Sequence, residues 1–111
     1  MGASACDPPL LPGERLDDLM CGGYRLIQRD DAFRFGTDSV LLADFAAPRP
    51  GMRAVDLGCG TGAVFTLMAA HEPGLWVDAV EIQPDVADMA RRSVALNGLQ
   101  ARARVFTMDM R

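Results

Sequence analysis

Val55-Asp56-Leu57-Gly58-Cys59-Gly60-Thr61-Gly62 is the stretch that decides the fold. A largely apolar strand, Arg53 to Leu57, runs into a loop with glycine at every second position, and a helix follows from about Gly62 to Ala70. Glycines at these positions let the backbone turn sharply and approach a ligand without Cβ interference. The helix then points its unpaired N–H groups and positive dipole end at the same space, which favours a carboxylate or another polar group. Glu81 lies nineteen positions beyond Gly62, at the end of the next apolar run. Doubly wound folds place there the acid that takes two ribose hydroxyls.

Working outward, the second half of the chain is a regular alternation. Glu72-Pro73-Gly74 is a turn, and Trp76-Val77-Asp78-Ala79-Val80-Glu81 reads as a strand. Pro84 with Asp85 beside it opens a helix whose inner face is Val86, Met89, Ala90 and Val94, and Asn97-Gly98 stops it. Ala103 to Met108 is a third strand, ending at Asp109. Strand, helix, strand, helix, strand implies an α/β fold with a parallel sheet.

The first half is less regular. Residues 1–13 are rich in Pro and Gly and read as a loose arm. The pattern from Glu14 to Met20 is mixed, and Cys21-Gly22-Gly23 is a turn. Tyr24 to Gln28 reads as a strand, Asp30-Asp31 as a second turn, and Phe33-Arg34-Phe35 as the return strand of a hairpin. Thr37 suits a helix N-cap with Asp38 in the first turn, and Val40, Leu41, Leu42, Phe45 and Ala46 supply an apolar face. Pro48, Pro50 and Gly51 end that helix. Three segments result: the arm 1–13, a hairpin and helix over 14–50, and a ligand-binding β-α-β-α-β unit over 51–111.

At 111 residues the chain is at most one domain. Half of its residues are hydrophobic, which argues against wholesale disorder, and no apolar run approaches the roughly 20 residues of a membrane span. Three cysteines and one histidine, with no C-x-x-C pair, argue for reduced cytosolic thiols and against a zinc site or a disulfide scaffold. No metal and no membrane are expected as partners, and the expected location is cytoplasmic. The net charge is −4 and every basic residue is arginine. An acidic total does not exclude nucleic acid, because binding depends on a local basic surface. Arg91-Arg92 reads as a solvated helix face in preference to a phosphate contact.

Spacing alone leaves the ligand open. Gly58-x-Gly60-x-x-Ala63 also satisfies a loose dinucleotide fingerprint, so a nicotinamide-dependent oxidoreductase is a rival reading. Asp56 argues against it: a dinucleotide strand is usually apolar at that position, two residues before the first glycine.

Asp56-Leu57-Gly58-Cys59-Gly60-Thr61-Gly62 resembles the first motif of class I S-adenosylmethionine-dependent methyltransferases. Glu14 to Leu19, Leu26-Ile27-Gln28, the run Phe33 to Ala43, Val80-Glu81-Ile82-Gln83 and Asn97-Gly98-Leu99 are similar to bacterial adenine-N6 methyltransferases that modify a valine tRNA beside its anticodon. The resemblance implies a Rossmann-like methyltransferase fold, cut after its first three parallel strands, with S-adenosyl-L-methionine as cofactor and tRNA as substrate of the intact protein. It further implies that Asp56, Gly58, Cys59, Gly60 and Gly62 line the methionine end of the cofactor. Glu81, with Ile82 beside it, would hold the ribose, and Asp109 would accept from the cofactor's adenine amino group. Thr37 and Asp38 would approach the cofactor from the preceding helix, although a plain cap accounts for both.

The family's Asn-Pro-Pro-aromatic motif, which polarises the target amino group, occurs nowhere in the chain; Asp7-Pro8-Pro9-Leu10 lacks both the asparagine and the aromatic. The resemblance puts that motif after a fourth strand, and so beyond Arg111. The 111 residues alone are therefore expected to be inactive, with no catalytic residue among them. Ala54 to Leu57 is expected to be left as an unpaired sheet edge, open to self-association. Two alternatives share the donor site: a non-catalytic cofactor-binding module, and a methyltransferase for a protein or small-molecule acceptor.

Overall fold

The computed structural model describes residues 9–19, 22–31, 42–43, 46 and 48–108. Two strands, β1 (Glu14–Asp18) and β2 (Arg25–Arg29), form an antiparallel pair. Then come β3 (Arg53–Leu57), α1 (Ala63–His71), β4 (Trp76–Glu81), α2 (Pro84–Leu96) and β5 (Ala103–Thr107). The strands β3, β4 and β5 make a parallel sheet in that spatial order, with Asp56 opposite Ala79 and Glu81 opposite Thr107. This is the α/β alternation expected from the sequence.

The sheet is buried on one face. Ala54, Val77, Ala79, Ala103 and Val105 alternate inward and meet Phe65 and Ala69 of α1, Val94 of α2 and Leu99 in one apolar cluster. On the other face Val55 and Leu57 are 65% and 66% exposed, beside Trp76 and Phe106. The Arg53 and Arg104 guanidiniums lie over the Trp76 and Phe106 rings, 5.6 and 5.5 Å from the centroids. Among the described residues β3 pairs only with β4, so its other edge is unpaired.

Each helix starts and stops for a visible reason. Pro84 sits at the first turn of α2 with Asp85 beside it, and Gly98, at φ +69°, ends the helix as Leu99 N–H donates to Val94 O at 2.9 Å. Its buried face is Ala87, Met89, Ala90, Ser93 and Val94; Val86, expected inside, is only half-buried. Arg102 closes α1 by donating to the carbonyls of Ala69, Glu72 and Leu75.

The hairpin differs from expectation. Its strands are 14–18 and 25–29, joined across Gly22 and Gly23, which both take left-handed φ. The residues 24–28 thus return along 14–18, and 33–35, expected as their partner, lie outside the described residues. Strand β1 reads Glu-Arg-Leu-Asp-Asp and is held by charge in place of apolar alternation. Arg15 donates to both Asp17 oxygens and to the carbonyls of Arg29 and Asp30. Of the expected helix after Gly36, Leu42, Ala43 and Ala46 are helical, and Ala43 packs with Leu19, Leu26 and Leu67.

The hairpin is fastened to α2. Ile27 N–H donates to Ser93 Oγ at 2.8 Å, and the Asn97 amide exchanges two bonds with the backbone of Arg25, at 2.8 and 2.7 Å. Arg92 forks onto both Glu14 oxygens at 2.8 and 2.5 Å and also reaches Asp88 at 2.9 Å. This corrects the reading of Arg92 as a solvated side chain: it is an ionic link between hairpin and helix, as is Arg29 of β2 paired with Asp85. Arg91 stays exposed and donates to Val105 O and Thr107 Oγ1.

Candidate functional site

The loop 58–62 sits where β3 ends and α1 begins, alongside the end of β4. Cys59 N–H donates to Val80 O at 2.9 Å, so the sheet ladder continues into the loop. Gly60 then bends away at φ +59°. A Cβ at Gly58 or Gly60 would meet nothing within 4 Å, so the space beside the loop is open. Gly62 is different. With φ +103°, a Cβ there would lie 2.7 Å from the Phe65 ring, so both conformation and space demand glycine.

Gly62 also precedes the first turn of α1, which has no side-chain cap and no acidic residue. The N–H groups of that turn remain donors toward the loop. Thr66 N–H turns back onto Gly62 O at 3.0 Å.

Two carboxylates face this loop from neighbouring strands. Asp56 lies on the inward face of β3, opposite Ala79, and Glu81 follows two residues later on the inward face of β4. Glu81 is buried; its Oε1 accepts Gly60 N–H at 2.9 Å and its Oε2 accepts Gln83 N–H at 3.1 Å. An ordinary solvated acid would do neither. Each oxygen keeps a second lone pair for a further donor. Asp56 is half-buried, and its Oδ2 is a buried oxygen with no hydrogen-bond partner among the described residues. Burial without a partner raises its carboxyl above the ordinary aspartate range.

Cys59 is half-buried near these acids. Burial first, and then the charges of Asp56 and Glu81, push its thiol up to about 12. At neutral pH it is a thiol, so it is a poor nucleophile and a poor metal ligand. Ile82 is exposed directly after Glu81. The structure therefore brings together Asp56, Gly58, Cys59, Gly60, Gly62, Glu81 and Ile82. Thr37, Asp38 and Asp109 lie outside the described residues.

One contact was not read from the sequence. Gln28, on β2, donates from Nε2 to Thr61 Oγ1 at 3.0 Å, tying the hairpin to the loop across 33 residues. Local periodicity carries no signal for such a pair.

The site offers both donors and acceptors: uncapped helix N–H groups, an unpaired buried carboxylate oxygen, and a second carboxylate one strand over. The chain is 29% identical over 80 residues to the tRNA1(Val) (adenine(37)-N6)-methyltransferase of Yersinia enterocolitica, a match covering 71% of this chain and 32% of that protein. The chain thus spans about a third of the length of the curated relatives it matches. Among solved structures, P. horikoshii TYW2 in complex with MeSAdo superposes with a TM-score of 0.73 at 18% identity, covering 89% of this chain and 37% of that one. An S-adenosylmethionine-dependent methyltransferase from Geobacter sulfurreducens in complex with S-adenosyl-L-homocysteine gives 0.61 at 20% identity, covering 72% and 34%. At those identities the superpositions speak for the fold alone. The family model for the methyltransferase small domain matches residues 31–111, nearly three quarters of the sequence, and the chain belongs to that methyltransferase family.

Proposed function

We propose that the loop 58–62 and Glu81 bind S-adenosyl-L-methionine, and that the chain is the donor-binding part of a methyltransferase for an adenine amino group in tRNA. The observation that carries the reading is the bond from Gly60 N–H to the buried Glu81 carboxylate, which sets an acid beside the glycine loop. In this reading the remaining lone pairs of Glu81 take the ribose hydroxyls, with Ile82 against the nucleoside. Gly58, Cys59, Gly60 and Gly62 give the methionine end close access to the backbone. Asp56 Oδ2, which accepts no bond among the described residues, receives a donor from that end. Asp109, Thr37 and Asp38 keep the roles that the resemblance implies.

When bound, the cofactor supplies an electrophilic methyl on sulfur. This chain's residues contribute binding and orientation, which hold donor and acceptor in line. An adenine amino group is out of reach inside a stack, so the acceptor base must be extruded. The names of the Yersinia relatives support tRNA as the substrate and thus a cytoplasmic location. The β3 edge, unpaired among the described residues, favours a second reading, a cofactor-binding module completed by another polypeptide.

Calorimetric titration tests the donor site. Saturable binding of S-adenosylhomocysteine with no heat from NAD is expected; the reverse would favour the oxidoreductase. The 111-residue chain, incubated with labelled cofactor and unmodified tRNA, is expected to transfer no methyl group. Incorporation would refute the reading of this chain as the donor-binding part alone.

A further inference from the structure

The glycine loop is held from two sides. Glu81 grips Gly60 from β4, and Gln28 reaches Thr61 from β2, an element outside the parallel sheet. The Gln28 amide has a defined sense, because its Oε1 accepts Arg29 N–H at 3.2 Å and only the Nε2 end can then face Thr61. The Thr61 hydroxyl is therefore an acceptor from Gln28. A hydroxyl has one proton to donate, and that of Thr61 has no acceptor among the described residues. Gln28 itself stands on a firm base: its neighbour Ile27 is fully buried and bonded to Ser93, and Arg25 is bonded to Asn97.

We infer that Gln28 is a positioning residue for the cofactor loop, occupying the Thr61 oxygen so that the Thr61 proton is presented to an acceptor atom of the bound ligand. This rests on the reading of the loop as the S-adenosylmethionine site. The hairpin thereby acts on ligand affinity without touching the ligand. A hydroxyl whose orientations are already restricted gives up less rotational freedom when the ligand arrives.

Titration of five variants with S-adenosylhomocysteine, together with amide exchange of residues 59–62 in the free protein, tests the inference. Gln28→Ala and Thr61→Val each weaken binding about five- to tenfold, the worth of one hydrogen bond, and the double variant is no weaker than either alone. Thr61→Ser binds like the parent. Gln28→Glu separates orientation from mere support. Its carboxylate still reaches Thr61 and still accepts Arg29 N–H, but it takes the Thr61 proton for itself. Loop exchange then stays at the parent rate while affinity falls as in Gln28→Ala. Additive losses in the double variant, or parent-like affinity in Gln28→Glu, would overturn the inference. If the parent binds and every Gln28 variant binds equally, the inference alone fails. If the parent does not bind at all, the reading of the site fails and takes the inference with it.

Discussion

Asp56 and Glu81 are two acids on the same sheet face with opposite circumstances. Glu81 accepts two backbone N–H groups, whereas Asp56 Oδ2 accepts none among the described residues. Burial raises the Asp56 carboxyl, so the folded state holds that proton more tightly than the unfolded chain does. Its destabilising effect is absent below the ordinary aspartate range. As pH rises from that range through the raised value the charge must be buried, and stability falls. Asp56→Asn removes that charge. In the ligand-free protein it should raise stability at neutral pH, by up to about 1 kcal/mol. The same change should weaken S-adenosylhomocysteine binding if, as proposed, the unpaired oxygen receives the ligand's donor. Thermal melts at pH 4 and pH 7 with and without ligand check both halves; a variant less stable at pH 7 and equally tight for ligand would contradict them. A residue that is costly in the free fold and useful in the bound one fits a ligand site.

At the scale of elements, the hairpin is joined to α2 mainly through polar groups. Arg92 beside Glu14 holds the Glu14 carboxyl below the ordinary glutamate range. The contribution of this pair is therefore complete above that range, and it is lost as pH falls through the depressed value. Glu14→Gln should destabilise the fold by about 2 kcal/mol at pH 7 and have little effect once Glu14 is protonated. Acid titration of the melting temperature in parent and variant checks this, and parallel curves would contradict it. The same polar character explains what the sequence showed and what it hid. From β3 to β5 every element was legible, because apolar alternation, paired glycines, Pro84 and Asn97-Gly98 are local signals. Glu81, Asp56 and the loop glycines were legible for the same reason. Strand β1 was not. Glu-Arg-Leu-Asp-Asp has no apolar period, and its partners, Arg29 across the hairpin and Arg92 far along the chain, are fixed only by the tertiary fold. The Gln28–Thr61 bond was hidden by the same kind of distance.

For the whole molecule, the parallel sheet is covered on one face, and the other face is exposed along β3 among the described residues. Val55 and Leu57 stand exposed on the β3 edge, with Trp76 and Phe106 exposed on the neighbouring strands. An unpaired strand with apolar side chains is a template for another chain. The 111-residue chain should therefore self-associate through β3, and a second copy is the occupant we predict for that edge. Val55→Lys with Leu57→Lys should shift sedimentation toward monomer while leaving ligand affinity unchanged, since both residues lie on the sheet face opposite Asp56 and Glu81. A parent that sediments as monomer at all concentrations would count against this.

The expectations for ligand binding depend on the loop and Glu81 acting on one ligand. A crystal of the chain soaked with S-adenosylhomocysteine tests that most directly. The account predicts the ribose hydroxyls within hydrogen-bond reach of Glu81 and the amino-acid end beside Gly58 to Gly62. An empty loop, or a ligand bound away from Glu81, would contradict it.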